Sequence, residues 1–314
     1  MKKIIIAALI FVLLPACKKE IVSESKAIAS NVGVERFKKY YGIWTGDFEP
    51  VYEENDTIAV EYRKITVKIN RIIGDDVYGQ SIVAGVQRPL KGKIAVQAND
   101  IITLTLDEPG TDKYDGRFQL ELVSGTSLEG SHIAFKSNPE TTKIKKLKLT
   151  HKEFVYDPHY MLSEDIEGVD WESVKEQQMV YEQYYDEELG DSIMVATEVN
   201  DSTDIEGKEV FLEEVYRTAS DEIYRINAST RPLTEEELKN LRKLDLEIIR
   251  NSIYARHGYS FKKGSIRHFF EVSDWYVPVS NYVDNELTKL EKENIVLLKR
   301  LEKYAEDHYD TFGR

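Results

Sequence analysis

Between Tyr40 and about Thr150, short runs rich in Val, Ile, Thr and Tyr recur with no helical pattern between them, and this recurrence limits the possible folds more than any other feature of the chain. Eight such runs lie at 42–48, 58–72, 77–83, 91–96, 101–106, 117–123, 131–137 and 144–149. Turn formers separate them: Glu53-Glu54-Asn55-Asp56, Gly74-Asp75-Asp76, Asn99-Asp100, Pro109-Gly110, Gly125 and Asn138-Pro139. That spacing predicts an antiparallel meander, either a sandwich or a barrel. In the second run Tyr62, Ile65, Val67 and Ile69 interleave with charged residues, the alternation of a half-buried strand.

From about residue 153 the chain turns acidic. Between Glu153 and Glu222 there are 22 acidic residues against Lys175, Lys208 and Arg217, a net charge of −19, while the whole chain carries −14. Phosphate backbones need clustered Lys and Arg, so nucleic acid is excluded as a partner. The same stretch does not suit anionic lipid headgroups. Trp171, Val174, Met179, Tyr181, Tyr184 and Tyr185 predict one helix over 170–189. Strands are expected at 191–199, 209–216 and 222–227, so that a β-rich domain with an acidic mixed segment covers 39–228.

Thr230-Arg231-Pro232-Leu233 breaks this pattern, and the remainder, 231–314, reads as a small helical domain. Thr234-Glu235-Glu236-Glu237 is a capping box. Leu238, Leu241, Leu244, Ile248, Ile249 and Ile253 continue at helical spacing until Gly258, where a left-handed residue ends the helix. A short helix is expected at 265–271 and a longer amphipathic one at 287–304, through Leu290, Ile295, Leu298 and Leu301. The fold class is therefore α+β: an N-terminal antiparallel β sandwich or barrel followed by a small C-terminal helical domain.

The N-terminus carries an address. Met1-Lys2-Lys3 precedes an apolar run from Ile4 to Leu14, the layout of a secretory signal and too short to span a bilayer. It ends in Leu14-Pro15-Ala16-Cys17, which resembles the lipobox of bacterial lipoproteins. Residues 1–17 thus read as a lipoprotein signal peptide ending at the acylated cysteine, and the resemblance implies cleavage ahead of Cys17, lipid on that residue, and stable membrane attachment by more than one acyl chain. Lys18-Lys19 follow where an aspartate would imply inner-membrane retention, so the expected location is the bacterial cell envelope, at the outer membrane. Residues 18–38 read as a tether. Cys17 is the single cysteine, so the fold has no disulfide and rests on its core.

Tyr254-Ala255-Arg256-His257-Gly258, followed by Tyr259, Phe261, Phe269-Phe270 and Trp275-Tyr276, resembles the signature of the YARHG domain over about residues 231–306. That family occurs in bacterial lipoproteins and beside extracellular peptidases, and it brings no activity with it. The residues themselves admit two readings. In one, Arg256 and His257 favour the negative end of a helix that Gly258 stops, and the aromatics pack over it. In the other, Arg256 and His257 clamp an anionic group of a cell-wall peptide or glycan.

Other constellations are weaker. Tyr41-Gly42-Ile43-Trp44-Thr45-Gly46 resembles the Gly-x-Trp opening strand of lipocalin-like barrels, which implies a Trp plugging one barrel end and room for an apolar ligand; a first strand with a core Trp is the plainer reading. The oxygen-rich turn 200–207 is the best calcium candidate but lacks the calcium-loop pattern, because its Gly falls in the wrong place; a solvated acidic loop is the plainer reading, and weak calcium binding stays open beside it. Asp56-Thr57-Ile58, Asp191-Ser192-Ile193 and Asp201-Ser202-Thr203 resemble an acidic O-glycosylation motif. His132, His151, His159, His257, His268 and His308 show no metal-ligand spacing. Gly-x-Ser-x-Gly and phosphate-binding glycine loops are missing. No catalytic residue, metal or cofactor is expected. The sequence thus predicts a lipid-anchored, non-catalytic binding or assembly module with an envelope protein or glycan partner. The alternatives are a β-barrel carrier of an apolar ligand, or a cell-wall hydrolase targeted by the helical domain.

Overall fold

The computed structural model describes residues 36–51, 63–136, 142–186, 190–199 and 207–305. Cys17, the tether up to residue 35, Asp56-Thr57-Ile58, Asp201-Ser202-Thr203, and 200–206 of the oxygen-rich turn lie outside these residues.

The first eight strands are β1 (Gly42–Pro50), β2 (Arg63–Ile73), β3 (Asp76–Val83), β4 (Val86–Val96), β5 (Ile102–Asp107), β6 (Gly116–Val123), β7 (Ser127–Ala134) and β8 (Ile144–Lys152). Each pairs antiparallel with the next, and β1 also pairs with β8, so the meander closes into a barrel. Trp44 lies between Val67 on β2 and His151 on β8. Closure removes both sheet edges, and the alternation along each strand sends one side chain in two inward. Those inward residues, among them Trp44, Ile65, Val67, Leu104, Phe118 and Leu149, form one buried cluster. Eight strands give an interior just wide enough for side chains to fill it. Near one end Trp44 donates its indole N–H to the Tyr40 carbonyl at 2.9 Å and stacks on His151 at 4.5 Å. Toward the other end the buried Glu108 carboxylate accepts from the Ser81 hydroxyl at 2.6 Å and the Gly116 amide at 2.8 Å, and meets His132 at 3.2 Å.

The acidic segment departs from expectation. Residues 170–186 are not helical: β9 (Val169–Asp186) is the centre of a separate three-stranded sheet, flanked by β10 (Asp191–Glu198) and β11 (Val210–Thr218) in the order β10-β9-β11. Its Glu, Gln and Lys residues favour helix in isolation, but pairing along both edges and the β-branched and aromatic cross-strand partners Val180, Val210, Ile193 and Tyr184 decide the outcome. These strands pair with one another and with none of the barrel strands, so they do not extend the barrel. The strand expected at 222–227 is also absent. Residues Asp221–Tyr224 form a 3-10 turn that buries Ile223, and the Asp245 carboxylate holds its start by accepting from the Ser220 amide and hydroxyl at 2.6 and 3.0 Å.

Four helices follow: α1 (Glu235–Leu238), α2 (Lys243–Arg256), α3 (Gly264–Glu271) and α4 (Lys289–Glu302). Thr234 caps α1 as the sequence predicts, accepting from the Glu237 amide. The long helix expected through to Gly258 is interrupted between α1 and α2, because the buried Asp245 carboxylate takes the Arg242 amide at 2.9 Å and starts a new helix there. One apolar cluster packs α2 against α4 through Leu246, Ile249, Ile253, Ile295 and Leu298; a second gathers Phe261, Phe269, Phe270 and Tyr276 over the other side of α2. The barrel docks on the second. The Lys64 ammonium crosses to the Ser273 carbonyl at 2.8 Å, and the Ser260 hydroxyl accepts from the Gly85 amide at 3.0 Å. Burial, with Lys152 nearby, lowers Lys64 to about 8 against the pull of Glu271. Among the described residues no helix is long and apolar enough to cross a membrane.

Candidate functional site

The motif Tyr254-Ala255-Arg256-His257-Gly258 lies where α2 stops. Gly258 takes φ +71°, which an L side chain reaches only with strain, and the Tyr259 amide returns to the Tyr254 carbonyl at 3.0 Å. The turn sends Arg256 and His257 inward, and both are buried. Arg256 donates from Nε to the Tyr160 carbonyl at 2.7 Å and from one terminal nitrogen to the Ser229 hydroxyl at 3.1 Å, while the other lies 3.3 Å from the Met161 sulfur. Burial lowers its guanidinium to about 10. Hydrogen bonds from a charged donor contribute about 1.5–3 kcal/mol each, so Arg256 fastens the segment leaving the barrel onto the end of α2.

His257 meets a carboxylate of the chain itself. Its Nε2 lies 2.9 Å from Glu291 Oε2, and its ring stacks on Tyr156 at 4.2 Å. Tyr156 in turn donates its hydroxyl to Glu291 Oε1 at 3.0 Å. Glu291 is completely buried and opens α4: it accepts from the Thr288 amide at 2.9 Å while its own amide donates to the Thr288 hydroxyl at 3.2 Å. Burial alone pushes this carboxyl upward, but His257, the Thr288 amide and Ser229 outweigh it and hold Glu291 at about 2. Tyr156 moves up to about 12, through burial first and the adjacent carboxylate second.

Arg256 and His257 are thus brought to one place, and the anion His257 meets is the chain's own Glu291. The arrangement joins four segments that are distant in sequence: the barrel exit, the turn at Ser229, the end of α2 and the start of α4. Tyr156, Tyr160, Ser229 and Glu291 are its unforeseen members. Thr288-Lys289-Leu290-Glu291 has capping-box spacing, the one sequence signal that marks Glu291. His159, by contrast, sits exposed in a turn with its amide on Asp157. Among the described residues no three His, Cys, Asp or Glu side chains converge on a common metal position.

The other conspicuous surface is the three-stranded sheet. Cross-strand partners share a face, so Val174, Val180, Tyr184, Ile193, Val195, Val210 and Leu212 lie on one side, and Met179, Tyr181, Tyr185, Met194 and Phe211 on the other. Leu212 is 70% exposed, Met194 60% and Val174 51%. Acids surround these residues: Glu176, Glu182 and Glu214 on the first face, Glu198 and Glu213 on the second. Asp191-Ser192-Ile193 opens β10 on this exposed sheet.

The YARHG domain family matches residues 221–303, from the 3-10 turn to just past the end of α4. The C-terminal part of the chain is therefore a YARHG domain, and among its five signature residues Gly258 stops α2, Arg256 binds the barrel exit and His257 meets α4. No curated protein and no solved structure matches the chain.

Proposed function

We propose that this chain is a non-catalytic binding or assembly module of the bacterial cell envelope, anchored by lipid at Cys17 and capturing a protein partner on its three-stranded sheet. The observation that carries this reading is the sheet itself: Val180 is buried, but Val174, Tyr184, Tyr185, Met194, Phe211 and Leu212 stand exposed on it, and exposed apolar side chains grouped in this way mark an interaction surface. The surrounding carboxylates define the partner as a segment with apolar anchors and basic flanks. Acidity on both faces works against a second copy of the same chain.

The alternatives find less support. A carrier of apolar ligands needs room inside the barrel, and the chain's own side chains occupy that interior. A hydrolase needs a proton-holding carboxyl facing a cleft. Burial does raise Asp170, against the Glu172 amide and Arg217, but its carboxylate is buried and pairs with Arg217 at 3.3 Å.

Leu212→Lys, on an exposed strand position, is expected to leave the melting temperature within a degree or two and to abolish retention of the partner from solubilised envelopes. The purified partner should then bind wild type and not the variant. Equal retention by both proteins, or self-association of wild type that the substitution removes, would count against the proposal. For the anchor, Cys17→Ser should release the protein from washed membranes; persistence there would remove lipid attachment from the reading.

A further inference from the structure

A groove of about 720 Å³ lies between the segment leaving the barrel, the start of β9 and the turn after α3. That volume suits a side chain or small ligand. Two of the chain's three tryptophans line it, Trp171 and Trp275, together with Val272. Trp275 is fixed: its indole N–H donates to the Met161 carbonyl at 2.8 Å, and one ring face stacks on Tyr160 at 5.2 Å. Trp171 is 54% exposed and leans edge-on against Tyr216. The groove also holds Asp165, Glu167 and Asp274, while no Lys or Arg lines it. Lys64 and Lys152 reach the same turn from the barrel side and spend their ammonium groups on the backbone carbonyls of Ser273, Tyr276 and Asp274.

One further group points to a ligand. Ser273 lines the groove and is 5% exposed, and its hydroxyl has no hydrogen-bond partner among the described residues. A buried hydroxyl left unpaired is destabilising, so a group that pairs with it gains an interaction the free protein lacks. Indole faces attract cations, carboxylates add to that attraction, and an oxygen lone pair accepts an N–H.

From these features we infer that the groove binds the ammonium group of a lysine side chain, presented by a peptide segment. Trp171 and Trp275 flank the aliphatic stem, the Ser273 hydroxyl, enclosed in the free protein, rotates toward the groove to accept from the ammonium, and Asp165, Glu167 and Asp274 supply the counter-charge. A peptide fits better than a free polyamine, because Met161, Ile166 and Val272 give the wall an apolar part, while the other two polar side chains that line it are engaged: Ser163 donates to Asp165, and His268 meets the backbone carbonyls of Gly264 and Val169. This inference does not depend on the sheet: Leu212→Lys is expected to leave it untouched.

The test uses the blocked tripeptide acetyl-Leu-Lys-Leu-amide, its norleucine counterpart, spermidine and an N-acetylglucosamine oligosaccharide, titrated into the full folded chain by calorimetry or tryptophan fluorescence. The lysine peptide should bind at least 5-fold more tightly than the norleucine peptide. Trp171→Ala should weaken it 5-fold or more. Ser273→Ala should weaken it several-fold while leaving the melting temperature unchanged or higher, a combination that a purely structural serine does not produce. Equal binding of lysine and norleucine peptides, binding of spermidine or the oligosaccharide alone, no binding at all, or lysine-peptide binding indifferent to both substitutions would each overturn the assignment.

Discussion

Replacing Glu291 with alanine is expected to cost about 3–5 kcal/mol, because three donors lose their acceptor at about 1–3 kcal/mol each. The change would leave His257, the Tyr156 hydroxyl and the Thr288 amide without their shared acceptor at the start of α4. Acid should reproduce part of the loss in the unaltered protein. The folded carboxyl sits at about 2, below its usual 4.5. The folded state therefore releases this proton more readily than the unfolded chain, and the resulting stability is fully present above pH 4.5 and disappears as pH falls toward 2. At about 1.4 kcal/mol per pKa unit the contribution is about 3 kcal/mol. Urea unfolding at pH 7, 5 and 3 should give wild type a steeper acid loss than Glu291→Gln. Parallel curves for the two proteins would show that the carboxylate contributes no such linkage.

The second large effect belongs to Gly258→Ala, expected to cost about 2–4 kcal/mol. Holding an L residue at φ +71° costs about 1 kcal/mol or more. A Cβ there would also stand 2.5 Å from Val279 Cγ2 and 2.9 Å from both Phe154 Cε2 and the Val277 carbonyl oxygen. Forcing such contacts adds about 1–3 kcal/mol. Gly258→Asn separates the two terms, because asparagine tolerates the left-handed region but needs more room. Thermal melts should place Asn at or below Ala. An Asn variant near wild type would mean that crowding at this turn is easily relieved.

The strands of the first half were legible because a period of two and turn residues at short intervals are local properties. All eight runs correspond to strands, although 58–62 and 137 lie outside the described residues. Closure was not legible. Whether β1 finds β8 depends on a pairing of residues about a hundred positions apart, such as Trp44 with His151, and nothing local announces it. The misreading of β9 has a similar origin: its residues weigh for helix one at a time, and two flanking strands outweigh them. At the motif, the helix stop at Gly258 and the inward aromatics could be read from spacing. The partners could not, since Arg256 reaches back 96 positions to Tyr160 and His257 forward 34 to Glu291. The Trp171–Trp275 groove was invisible for the same reason.

The grip of Arg256 on Tyr160, and of His257 and Glu291 on Tyr156, has a consequence for where this protein can be cut. The family match begins at Asp221, yet Tyr156, Tyr160 and Leu162 complete the packing of the helices from sixty residues upstream. A fragment trimmed to the inherited module would open with two buried charges facing water where a backbone and a phenol belong. The span of the family match is here shorter than the packed unit, so an excised version is expected to be more stable when it carries the barrel's exit with it.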